Sequence, residues 1–203
     1  MAEAARALVA PPSDDHDHIV ILRGVTWADY ERVLKMRGDH SAPRISFLEG
    51  ALEIMSPSRT HESLKSMIGR LVEAWCMENE IDITPYGSWT LKKKAVERGA
   101  EPDECYVVGD ELEPERPDLA IEVVWTSGGI NKLEIDRKLG VREVWYWQKG
   151  ELALYTLRRG RYARIPRSKV LPGIDHAEIA ELALVRPMTK AVRAYRKRLQ
   201  KRR

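Results

Sequence analysis

Glu101-Pro102-Asp103-Glu104-Cys105-Tyr106-Val107-Val108 and Pro117-Asp118-Leu119-Ala120-Ile121-Glu122-Val123-Val124-Trp125 flank a polar loop, and each reads as an acidic opening followed by a β-strand. An ionised group on a half-buried sheet needs a charge partner, so carboxylates inside such runs call for an explanation. An antiparallel hairpin with its tip near Glu113 would pair residues whose numbers sum to about 226. Asp103 would then lie beside Glu122, with side chains roughly 5 Å apart. Two carboxylates at that spacing repel unless positive charge sits between them, and a divalent cation supplies it best. The competing reading is two unrelated surface acids around turn-forming Pro-Asp pairs.

Along the second segment, alternation puts Asp118, Ala120, Glu122 and Val124 on one face and Leu119, Ile121, Val123 and Trp125 on the other. The second set is core. The first lines either solvent or a cleft.

Outward from this hairpin the chain alternates strand and helix signals. Ile19–Leu22 is a short strand, and Thr26 caps a helix Trp27–Met36. Arg44–Met55 alternates around Glu49-Gly50 as a hairpin. A helix over Thr60–Asn79 carries the stripe Leu64, Met67, Ile68, Leu71, Val72 and Trp75. Strands near Ile81–Thr84 and Ser88–Lys92 precede a loop Lys93–Ala100. After Ser127-Gly128-Gly129, a helix Ile130–Leu139 ends at Gly140, a residue suited to the left-handed cap. Strands Glu143–Gln148, Leu152–Leu157 and Tyr162–Ile165 follow, then a short helix Ala177–Leu182. Trp145 and Trp147 share a strand face and read as core. A terminal helix after Pro187 has a narrow apolar stripe, Met188, Val192, Tyr195 and Leu199.

The 203 residues suit one domain, here divided into an N-terminal arm (1–18), a main domain (19–185) and a basic C-terminal helix (186–203). No apolar run approaches the ~20 residues of a membrane span. Two cysteines, Cys76 and Cys105, make no disulfide framework or zinc motif, which points to a reducing, cytoplasmic location. The net charge of +3 hides an asymmetry: Arg186–Arg203 holds nine Lys/Arg and no acid, leaving 25 basic against 31 acidic residues elsewhere. Such a run suits phosphate contacts through Lys190, Arg193, Arg196 and Lys197; a solvated helix end has the same composition.

The order strand–Pro-Asp, strand–Glu, lysine is similar to the PD-(D/E)XK nuclease superfamily. The chain more closely resembles the Uma-two family of restriction-endonuclease-like proteins. The resemblance rests on Arg44–Ser58 (RISFLEGALEIMSPS), His61–Trp75, Gly99–Val108 (GAEPDECYVV), Pro117–Val123 (PDLAIEV) and Leu133–Trp145 (LEIDRKLGVREVW). It implies an α/β (mixed α+β) fold with a restriction-endonuclease-like core, a central mixed sheet flanked by helices. It also implies Asp103 and Glu122 as catalytic residues and ligands of Mg²⁺ or Mn²⁺. The lysine usual two positions after the glutamate is absent, Val124 standing there, and Lys132 on the following helix takes the matching place. Glu62 matches an auxiliary acid, although a first-turn Glu is also favoured by the helix dipole. His61 either assists proton transfer or helps cap its helix. Ser46 stands where an acid is expected, and Asp136 where a Tyr is usual.

Two functions follow. The first is a metal-dependent endonuclease that hydrolyses DNA, with a homodimer as the common assembly in this fold and no membrane or organic cofactor involved. Oxygen-only ligation suits hard cations, and no His/Cys cluster points to zinc. The second is a non-catalytic nucleic-acid-binding or oligomeric interaction protein on the same fold.

Overall fold

A computed structural model describes residues 15–202. In chain order the elements are β1 (His18–Arg23), α1 (Trp27–Arg37), β2 (Arg44–Leu48), β3 (Ala51–Ser56), α2 (Arg59–Glu78), β4 (Ile83–Pro85), β5 (Leu91–Lys93), β6 (Arg98–Ala100), β7 (Glu104–Val108), β8 (Leu119–Val123), α3 (Lys132–Leu139), β9 (Glu143–Gln148), β10 (Glu151–Arg158), β11 (Arg161–Ile165), α4 (His176–Leu182) and α5 (Met188–Arg202). They form two sheets. One has five antiparallel strands in the order β1-β3-β2-β6-β5; the other has six in the order β11-β10-β9-β8-β7-β4. Among the described strands only β8 and β9 run parallel, joined through α3, so the larger sheet is mixed.

The helices start where their capping chemistry dictates. Thr26 and Asp29 form a reciprocal capping box at α1. Ser58 accepts from the His61 amide at α2, and Asn131 from the Glu134 amide at α3. The α3 helix stops at Gly140, which is left-handed as its C-terminal residue.

The larger sheet is buried on both faces. Leu119, Ile121 and Val123 of β8, with Trp145 and Trp147 of β9, pack on Leu64, Met67, Ile68, Leu71 and Trp75 of α2. Ala120 and Val144 point the other way, into a smaller cluster with Cys105, Leu91 and Leu133 of α3. The Glu122 face is therefore not a solvent face: α3 covers it and also touches β2, β5 and β6 of the other sheet. A third cluster, Trp27, Tyr30, Ile45, Phe47 and Leu52, seats α1 on the β2–β3 hairpin.

The stretch Lys93–Ala100 differs from its reading as a loop. It contains a 3₁₀ turn and then β6, which pairs with both β2 and β5 through Gly99. Three residues carry no alternation to read. Glycine is required there because the Tyr30 hydroxyl occupies the space a Cβ would take. Glu101, just beyond, joins these parts: it pairs with Arg37 at 2.5 Å, accepts from the Ile45 amide at 2.9 Å, and takes the Thr90 hydroxyl at 2.5 Å.

The C-terminal helix is built into the core. Ala191, Tyr195 and Leu199 are buried, Tyr195 completely, with Met188 and Val192 packed against the main cluster. Several of its cations are engaged within the protein. Arg196 bonds Glu78 at 2.5 Å, and Arg198 and Arg202 both reach Glu178.

Candidate active site

The pairing Glu104↔Ile121, Cys105↔Ala120, Tyr106↔Leu119 fixes the acidic hairpin. Continued by one step, that register sets Asp103 across from Glu122, as the sequence indicates. Asp103 is 0% exposed and Glu122 1%. The positive charge that two such carboxylates demand is present in the protein itself. Arg44, from the start of β2, makes an ion pair with Asp103 Oδ1. Lys132 Nζ, from the first turn of α3, lies 2.8 Å from Glu122 Oε2. Placing that lysine on a helix rather than two residues along the strand thus still delivers it to the carboxylate.

The two acids differ in what they have left to offer. Asp103 Oδ2 accepts from the Val123 amide at 2.6 Å and lies 3.0 Å from His61 Nε2, so both of its oxygens are engaged. Glu122 Oε1 is buried and has no hydrogen-bond partner among the described residues. Burial alone would lower the Lys132 pKa, but the charges of Glu122 and Glu53 outweigh it and hold the ammonium above its ordinary range.

Ser58 rather than the His61 side chain caps α2, and the His61 ring is turned to the acids instead. Its Nδ1 lies 3.0 Å from Asp17 Oδ2 and its Nε2 faces Asp103, so it bridges two buried acids. Asp17 falls in the stretch read as an arm, yet it is buried and also accepts from the Ser58 amide at 2.8 Å. Residues 1–14 of that arm lie outside the described residues. Glu62 pairs with Arg44 and with Lys65, at 2.7 and 2.8 Å. Burial opposes its ionisation, but those two cations keep its pKa below the ordinary value. Asp103, Glu122, Lys132, His61 and Glu62 therefore gather at one place, with Arg44 bonded to three of them. Lys190, Arg193, Arg196 and Lys197 stand apart from it, on α5.

Three participants were not legible as such. Arg44 sits at an alternate position of a strand whose other residues are mostly apolar, where a cation reads as solvent-facing. Glu53 pairs directly with Ser46 in the β2–β3 ladder, so the acid missing at Ser46 enters from the neighbouring strand. Its Oε2 accepts from the Ile130 amide at 2.8 Å and would stand 2.6 Å from any Cβ at Gly129, so a side chain there would have to displace the Glu53 carboxylate. Asp136, one turn after Lys132, is fully buried, and its carboxyl is pushed well above the usual range by burial and by the Glu122 charge.

Among the described residues, no group of three His, Cys, Asp or Glu side chains is arranged to hold a metal ion. The chemistry of the donors does fit a hard divalent cation at Glu122, because a buried carboxylate oxygen there lacks a partner. Asp103 offers an oxygen only when Arg44 leaves it.

A mixed sheet with a Pro-Asp strand, a Glu strand and a convergent lysine is the architecture of restriction-endonuclease-like proteins. The family model described as "Uma2: Putative restriction endonuclease" matches residues 27–175, and the chain belongs to this Uma2 family. A solved structure described as "a putative nuclease belonging to DUF820 from Anabaena variabilis ATCC 29413" superposes with a TM-score of 0.54. It is 12% identical, over 79% of this chain and 99% of that one, so the likeness is one of fold. No curated protein matches the chain. No helix among the described residues is long and apolar enough to cross a membrane.

The His61–Asp17 pair generates a pH prediction. Burial would raise the Asp17 pKa, but the bonds from His61 and Ser58 overcome it and hold the group below its ordinary 3.8. A depressed carboxyl contributes stability that is present above its unfolded pKa and lost as pH falls through the folded one. Urea midpoints of the wild type should therefore fall more steeply between about pH 5 and pH 2.5 than those of Asp17→Asn. Parallel profiles would show that these bonds give Asp17 no net stabilising role.

Proposed function

We propose that this protein is a metal-dependent endonuclease that hydrolyses phosphodiester bonds in DNA, with Asp103, Glu122 and Lys132 at its centre. The observation that carries the reading is the pairing of the buried Glu122 with the half-buried Lys132, 2.8 Å apart, with one Glu122 oxygen unsatisfied and Asp103 in the adjoining register. Membership of a family described as "Putative restriction endonuclease" supports the reaction class.

Glu122 would hold the cation through its free oxygen, and Asp103 would add an oxygen only once its guanidinium partner is drawn off. Mg²⁺ or Mn²⁺ supplies Lewis acidity toward the phosphoryl oxygen and an acidified water. The rest is done by the chain. Lys132, kept protonated by its acidic neighbours, opposes the negative charge that builds up on the phosphoryl group. Arg44 is bonded to Asp103 and Glu62 in the resting protein and can exchange one of them for a substrate phosphate, a planar two-pronged match. His61 fixes the position of Asp103 and relays its hydrogen bonding to Asp17.

Lys132→Ala and Glu122→Gln should each lower Mn²⁺-dependent cleavage of plasmid DNA by about 100-fold or more, as loss of a preorganised charge at the transition state does elsewhere. Glu122→Gln should melt close to the wild type, whereas Lys132→Ala should melt lower because it leaves the buried Glu122 carboxylate without its cation, so its cleavage is compared well below that transition. Undiminished cleavage by both variants would remove these residues from the reaction and favour a non-catalytic role for the fold.

The exposed cations of α5 supply DNA affinity in this reading, not catalysis. Deleting the helix would strip Tyr195 and Leu199 from the core, so neutralisation is the cleaner test. Lys190→Ala, Arg193→Ala and Lys197→Ala combined should weaken DNA binding and flatten its salt dependence, by about 0.9 of a slope unit for each phosphate left without its cation. Arg196, bonded to Glu78, should contribute less. A salt slope unchanged in the triple variant would assign α5 to packing alone.

A further inference from the structure

The interface between α3 and the β8–β9 pair holds polar atoms that nothing among the described residues satisfies. Asp136 is 0% exposed, and neither of its carboxylate oxygens has a hydrogen-bond partner among the described residues. Glu122 Oε1 and the Tyr146 hydroxyl are buried and unpartnered in the same way. These groups share one place. Glu122 and Tyr146 are directly paired across the parallel strands, so both side chains leave the sheet on the face that α3 covers. Asp136 lies on α3 one turn beyond Lys132, the partner of Glu122.

The other buried acids among the described residues have a partner on at least one oxygen, although Asp15 Oδ2 has none. Glu101 is met by Arg37, Thr90 and the Ile45 amide. Glu143 is met by the Trp145 indole, the Ser168 hydroxyl and the Lys169 amide. Buried carboxylates are as a rule saturated, and these conform. Asp136 stands out because both of its buried oxygens lack a partner among the described residues. Lys132, whose charge also reaches it, is already bonded to Glu122 at 2.8 Å. A water molecule could donate hydrogen bonds here but would bring no positive charge.

We propose that Glu122 and Asp136 together hold one divalent, oxygen-preferring cation, with the Tyr146 phenol oxygen as a neutral ligand. All three donors are oxygens, which suits Mg²⁺, Mn²⁺ or Ca²⁺ over softer metals. Cys105, in the same cluster, is no competitor: its thiol is pushed up to about 12 by burial and donates to the Gly87 carbonyl at 3.2 Å. Without substrate Asp103 is outside this ligand set, because its oxygens are taken by Arg44, the Val123 amide and His61; it could add an oxygen only once Arg44 is drawn off. The inference rests on the hydrolytic reading for the use of the ion, while its binding can be tested alone.

Mn²⁺ binding to the full chain, followed by the loss of the free-ion paramagnetic resonance signal, is the test. The wild type should bind one equivalent. Asp136→Asn and Glu122→Gln should each weaken binding by about tenfold or more, and Asp103→Asn by clearly less. Without metal, Asp136→Asn should melt no lower than the wild type, since it removes a buried unpaired acid; Mn²⁺ should raise the wild-type melting temperature and leave that of Asp136→Asn unmoved. Wild-type affinity in Asp136→Asn, with losses in Glu122→Gln and Asp103→Asn, would overturn the inference and leave the hydrolytic reading standing. A metal-free Asp136→Asn that melts well below the wild type would also overturn it, by showing that the carboxyl has partners in the protein. No Mn²⁺ bound by the wild type would overturn both.

Discussion

Ionised carboxylates on buried strands must be matched by positive charge, and this chain is organised around meeting that demand. Asp103 and Glu122 sit at adjoining register positions where solvent does not reach them. Each receives a cation from a different element: Arg44 from the first residue of β2, and Lys132 from the first turn of α3. Removing either partner would strand a buried charge, a loss of about 3–5 kcal/mol in comparable pairs. The network therefore ties both sheets and two helices to one point.

That requirement explains features that would otherwise look unrelated. Capping by Asn131 sets where α3 begins and so where Lys132 points. Gly129 lets the backbone pass Glu53 closely enough for the Ile130 amide to bond it. His61, placed by the Ser58 cap, spans Asp17 and Asp103, so the chain near residue 17 is drawn into the same network. Hydrogen bonding is nonetheless incomplete at Glu122 and Asp136, whose unpartnered buried oxygens are the ones proposed to take an ion.

The strand–helix order was readable because periodicity and capping act locally. The β2–β3 hairpin, α2 with its buried stripe, and β9 with Trp145 and Trp147 inward all follow from spacing alone. The division into two sheets was not readable in the same way, because β6 is three residues long and owes its conformation to β2, β5 and Tyr30. At the site, Asp103, Glu122 and Lys132 were visible through motif order. Arg44, Glu53 and Asp136 were not, since a polar residue at an alternate strand or helix position looks the same whether it faces water or a buried partner. Only tertiary packing distinguishes the two.

The central claim is that Glu122 lies at a cation-dependent hydrolytic centre. Crystals of the full chain soaked in Mn²⁺ and measured at the manganese absorption edge test it most directly. The account predicts an anomalous peak within ligand distance of Glu122 Oε1, about 2.0–2.6 Å for a hard cation on oxygen. No peak there, with Lys132 and Arg44 still closed on the two acids, would contradict it.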